Sequence, residues 1–173
     1  MYQIPPATRV LCQGDVVIDF AYPVLSNIQF RRRDFVGELR IKTGPLAIVS
    51  HDCDLELYEG VPKRVAIQVC PLNPIPRQLL LEKEALERLR LNRVAPQTPE
   101  YINLFFFQAY PGSLEEDMVA DLSVIHSLPS SPALVRRLLD QKKLELTQEL
   151  RKLFQDKLMY QYGREVGGAD IVV

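Results

Sequence analysis

Ser50-His51-Asp52-Cys53-Asp54 is the densest run of reactive side chains in the sequence. It follows Leu46-Ala47-Ile48-Val49, an unbroken apolar stretch that predicts a strand buried on both faces. Polar groups placed directly after such a strand stand where a rigid element can hold a site. Three chemistries fit these residue types. Cys53 can act as a thiolate nucleophile with His51 as its base, because residues two apart on an extended chain face the same side. Alternatively His51, Cys53 and a carboxylate form part of a metal site that His126 completes. In the third, Asp52 and Asp54 bond to nearby backbone N–H groups and Cys53 is a small buried hydrophobe. One His and one Cys fall short of a recognised catalytic or metal pattern. The expectation is therefore a structural Cys53, with Ser50, His51 and Asp54 forming a polar rim. An exposed Cys53 with its sulfur in hydrogen-bonding reach of His51 would reverse it.

A second group is cationic. Arg31, Arg32 and Arg33, with Arg40 and Lys42, face only Asp34 and Glu38 nearby in sequence. They fall in or beside a hairpin loop. A positive loop next to aromatic residues suits single-stranded nucleic acid. It equally suits a solvated loop, or a charged edge that blocks sheet-to-sheet association.

The rest of the composition bounds the function. Lys plus Arg is 21 and Asp plus Glu is 22, so no global field advertises nucleic acid. Cys12, Cys53 and Cys70 are an odd number without CxxC spacing, which excludes a zinc ribbon and predicts reduced thiols in the cytoplasm. Cys12 and Cys70 read as packing residues in strands. His126 reads as a hydrogen-bonded core or rim histidine on the face of Leu122 and Val124. No apolar stretch is long enough to span a bilayer, the N-terminus lacks a secretory pattern, and no cofactor is expected.

The elements that must position these groups follow from periodicity. At 173 residues and 47% hydrophobic, the chain predicts a single domain, residues 1–173, with a core of its own. Val16, Ile18, Phe20 and Tyr22 recur at period two, as do Val65, Ile67 and Val69, and residues 118–128. Strands at such spacing without intervening helices predict an antiparallel barrel or sandwich, occupying about residues 9–128. Residues 77–93 carry a helical stripe and read as one inserted helix, while Phe105-Phe106-Phe107 reads as a core strand. Ser131 with Pro132 opens a long helix over residues 132–162, ended by Gly163.

The order of short segments resembles one family. Gly14-Asp15-Val16-Val17-Ile18-Asp19 is followed by a charged hairpin, then Gly44-Pro45-Leu46-Ala47-Ile48-Val49-Ser50, then Val65-Ala66-Ile67-Gln68-Val69-Cys70-Pro71-Leu72, and later Met118-Val119-Ala120-Asp121-Leu122-Ser123-Val124-Ile125. This is similar to the MazF/PemK plasmid-maintenance toxin family. The resemblance implies a small SH3-like barrel; with the two helices read from periodicity, the expected fold is α+β, an SH3-like, strongly bent antiparallel β-barrel with an inserted helix and a long C-terminal helix. It also implies single-stranded RNA or a protein regulator as partner, and often a homodimer. Ser50 falls where the family places its hydroxyl. Gly44 stands where the family places its catalytic arginine, so the implied module engages RNA without the family's ribonuclease mechanism.

Overall fold

The computed structural model describes residues 2–3, 10–30, 32, 34–94 and 101–167. The chain is a mixed α+β molecule whose sheet is antiparallel at every described pairing. The strands are β1 (Tyr2–Gln3), β2 (Val16–Phe30), β3 (Phe35–Ile48), β4 (Leu57–Tyr58), β5 (Val61–Pro62), β6 (Ala66–Pro74), β7 (Leu104–Phe107), β8 (Met118–Asp121), β9 (His126–Pro129) and β10 (Lys142–Leu146). The helices are α1 (Asp52–Leu55), α2 (Arg77–Leu81), α3 (Lys83–Arg90), α4 (Pro132–Gln141) and α5 (Gln148–Gly167). The main sheet runs β1-β10-β2-β3-β6-β8-β7, with β9 also paired to β6, and β4 and β5 form a separate ribbon. Among the described residues the path is open, with β1 at one end and β7 at the other.

The centre of the sheet is the end of β3. Leu46, Ala47 and Ile48 are fully buried between β2 and β6, as their unbroken apolarity predicts. Alternate residues serve opposite layers. Val16 and Ala47, with Val49, join Phe105, Phe107, Leu144, Phe154 and Leu158 under α5. Val17, Leu46 and Ile48 join Phe20, Ile67, Val69, Val135 and Leu138 under α4. Each such Val, Leu or Ile contributes about 1.5–3 kcal/mol by leaving water. A smaller third cluster packs Ala85 and Leu89 of α3 on Phe106 and Val119. The three phenylalanines are thus core, with Phe105, Phe107 and Phe154 meeting edge to face.

Several sequence expectations are corrected. Residues 132–162 are not one helix, because β10 separates α4 from α5. The cause is a local change of period: Lys142, Leu144 and Leu146 alternate inward while Lys143 faces solvent. Thr147 then opens α5, its Oγ1 accepting from the Leu150 amide at 3.4 Å. The helix continues past Gly163 to Gly167. The insert at 77–93 is two short helices rather than one. Residues 118–128 are not one strand. A turn at Leu122-Ser123 divides β8 from β9, with Ser123 donating to Asp121. Cys12 lies before β2 and not in a strand, whereas Cys70 is buried in β6.

Beyond Phe20, β2 pairs only with β3; Tyr22 and Val24 still pack on the layer under α4, and past them the two strands run on as a long hairpin arm. Pro23 is tolerated there because the other edge of β2 has no strand partner among the described residues. No helix among the described residues is long and apolar enough to cross a membrane.

Candidate functional site

The chain leaves the core at Ser50 and turns at once into α1. Ser50 itself is not part of an open polar rim: it is buried, and its Oγ accepts from the Gln68 amide of β6 at 2.8 Å. His51 is the N-cap of α1, and its Nδ1 accepts from the Cys53 amide at 3.4 Å. The same Nδ1 lies 3.1 Å from Cys53 Sγ. The tautomer with its proton on Nε2 lets Nδ1 accept in both contacts. Cys53 is exposed. This corrects the expectation of a buried, structural Cys53. The apolar anchor of the turn is Leu55, which enters the core in its place.

Asp54 also borders the thiol, with Oδ1 at 3.8 Å from Sγ and 2.7 Å from Arg64 Nε. Arg64 thus offsets a carboxylate that would otherwise oppose a thiolate. Its own pKa is raised, first by that hydrogen bond and then by Asp54's charge. Lys63 pairs with Glu56 on the same exposed surface. The other two cysteines are held as thiols. Burial pushes Cys70 up to about 12, and its Sγ donates to the Asp121 carbonyl at 3.1 Å. Burial and then the Asp15 charge raise Cys12.

Beneath α1 lies a charge layer that the sequence reading missed. Asp15 is fully buried, and its Oδ2 meets Lys142 Nζ at 2.8 Å and the Cys12 amide at 2.7 Å. Lys142 Nζ also donates to Glu145 at 3.1 Å and to the Val10 carbonyl at 2.9 Å. Three acceptors therefore meet its three protons. Burial pushes the Asp15 carboxyl up to about 6 against the pull of Lys142 and the Cys12 amide. Burial also opposes the Lys142 ammonium, but Asp15 and Glu145 outweigh it and hold its pKa above the ordinary value. Arg151 of α5 reaches Glu145 at 3.2 Å, Asp15 Oδ1 at 3.9 Å and Asp52 Oδ2 at 4.0 Å. Asp52 Oδ1 accepts from the Gln13 amide at 2.6 Å. Asp52 thus bonds across 39 residues and not to its own turn. Gly14 makes this possible: its φ is +85°, and a Cβ there would come 2.5 Å from Leu146. The Gly-Asp pair was legible as a motif, but its partners lie in β10 and α5, out of reach of any local pattern.

His126 belongs to a different element from the His51–Cys53 turn. It sits half-buried in β9 beside Tyr22, with ring centroids 5.5 Å apart. Burial, and then Lys42, lower its pKa. Among the described residues no group of three His, Cys, Asp or Glu side chains could hold a metal ion, so the site of His51, Cys53 and His126 is not assembled. Of the cationic group, Arg31 and Arg33 lie outside the described residues. Arg32, Arg40 and Lys42 are exposed, with Arg40 bonded to Glu38. Lys42 faces Tyr22, and Arg40 faces Val24, across the β2–β3 ladder. Arg137 of α4 lies 5.1 Å over the Phe20 ring at the arm's base.

No protein-family model matches the chain, and no curated protein matches it.

Proposed function

We propose that the chain performs nucleophilic thiol chemistry at Cys53, with His51 as its base. The observation that carries this is the 3.1 Å approach of His51 Nδ1 to an exposed Cys53 Sγ. In the reaction His51 takes the thiol proton, and the sulfur attacks an electrophilic carbonyl carbon. The leaving group departs as His51 returns the proton to it, and water then hydrolyses the thioester. Asp54, balanced by Arg64, flanks the thiol without a net opposing charge. Ser50 serves this site by fixing the end of the strand, not as a reacting hydroxyl.

The test is a small activated ester, p-nitrophenyl acetate. The expected result is a burst of p-nitrophenolate matching the protein concentration, absent in Cys53→Ser and slower in His51→Gln. A burst that survives Cys53→Ser, or no acylation of Cys53, would sink the reading.

A second reading follows the toxin-family resemblance: an SH3-like barrel module that engages single-stranded RNA, or a protein regulator, as a homodimer. What favours it is the set of exposed cations Arg32, Arg40 and Lys42 on the arm, with Arg137 near its base. Replacing Arg31, Arg32 and Arg33 by Ala should then flatten the dependence of log affinity on log salt by about two units, at roughly 0.7 per phosphate contact. An unchanged slope would assign those residues to a solvated loop.

A further inference from the structure

We propose that Asp52 is the positioning residue of the Cys53–His51 pair, fastened from beneath by Gln13 and Arg151. The inference rests on the thiol reading of the site and names the device that holds it.

A helix of four residues does not hold its own shape, because nucleating one turn fixes several dihedrals for a single hydrogen bond. The geometry of residues 51–53 must therefore come from tertiary ties. His51 and Cys53 are both exposed, and packing does not lock their side chains. On the N-terminal side the turn is tied at Ser50, through its bond with the Gln68 amide. At the C-terminal side Leu55 is buried in the layer under α4. Between them lies Asp52, which sits directly between the base and the nucleophile in sequence. Its Oδ1 accepts from Gln13 N at 2.6 Å, and Arg151 Nη1 is 4.0 Å from Oδ2.

The support under Asp52 is rigid. Gln13 is buried, and its Nε2 donates to the Val49 carbonyl at 2.5 Å. The next residue, Gly14, donates to the Ile48 carbonyl at 2.8 Å. Both ties go to the buried end of β3 and the residue that follows it, Ile48 and Val49. Arg151 is braced on Glu145 and rises from α5, which packs on the other layer. Asp52 is thus the point where both anchor segments meet the turn. Withdrawing its carboxylate leaves Gln13 N without that acceptor and frees the backbone on which the 3.1 Å contact depends. A displacement of about 1 Å is enough to cost a base most of its effect.

The measurement is iodoacetamide alkylation of the folded protein at pH 7, read at the Cys53 peptide by mass mapping. Four chains are compared: wild type, Asp52→Ala, His51→Gln and the double variant. Each single substitution should slow Cys53 roughly tenfold. The double variant should be no slower than His51→Gln alone, since Asp52 acts through His51. Asp52→Asn keeps an acceptor for Gln13 N and should stay within about twofold of wild type. A wild-type rate in Asp52→Ala overturns the inference. So does a double variant slowed by the product of the two single effects, which is what general loosening of the surface would give. If His51→Gln alone leaves the rate unchanged, the thiol reading itself fails and this inference falls with it. Should Asp52→Ala not fold, Asp52→Ser keeps a small polar residue at the first helical position and enters the same cycle with the same expectations.

Discussion

Lys142 carries an ammonium group whose side chain is only 3% exposed, and it is held there by Asp15, Glu145 and the Val10 carbonyl. Such a charge is stable only while its partners remain, since an uncompensated buried ion is far more costly than the pair. Lys142→Met should therefore lower stability at pH 7 by about 3–5 kcal/mol. The sign of its pH dependence follows from Asp15, whose folded pKa of about 6 lies above the ordinary 3.8. A carboxyl raised in the fold contributes stability that is full below pH 3.8 and lost as pH rises through 6. Protonated Asp15 needs no cation, so the penalty of Lys142→Met should be clearly smaller at pH 4.5 than at pH 7. Urea unfolding of both chains at the two pH values reads this directly. An equal penalty at both would mean that Asp15 is not the partner that matters.

At the scale of the element, α5 docks with a buried titrating group. Lys157 is buried, and its Nζ donates to the Tyr101 and Leu104 carbonyls. Burial alone lowers its pKa to about 8 from 10.5. The folded state therefore sheds a proton that the unfolded chain keeps, and this contribution to stability should rise between pH 8 and 10.5. Lys157→Met should remove that rise, leaving a flatter profile than wild type over this range in thermal or urea unfolding. An identical profile would place the ammonium in solvent. The same helix marks how far local pattern could be read. The strand at 46–48 was plain from its unbroken apolar run, and Phe105-Phe106-Phe107 from its aromatic content. Lys142 and Lys157 both fall within residues 132–162, the stretch expected as one long helix. In the fold each has a long apolar stem inside and a charged tip that meets acceptors distant in sequence. With a lysine at the first inward position, the period-two signal of β10 rests on Leu144 and Leu146 alone, and the strand was hidden inside an expected helix. Cys53 was misplaced for a related reason. Leu55, two residues later, is the side chain that turns into the core, which leaves the thiol outside.

At the scale of the whole molecule, burial is concentrated where layers meet and is sparse along the arm. Leu46, Ala47 and Ile48 lie between two strands and between α4 and α5. The arm's outward face instead exposes Leu39 at 70% and Ile41 at 66%. Amide hydrogen exchange should be slowest at residues 46–48 and fastest along residues 24–41. Leu39→Thr should change global stability by less than about 0.5 kcal/mol. Larger losses would show that the arm packs back on the body.

The central claim is that the fold activates one thiol of three. Its most direct measurement compares iodoacetamide alkylation of Cys53 at pH 7 in the folded protein and in the urea-unfolded chain. Cys53 should react roughly tenfold faster when folded, because only then does His51 Nδ1 lie against its sulfur. Cys70, buried and held as a thiol, should react only on unfolding. A folded Cys53 that reacts no faster than the unfolded one would contradict the account.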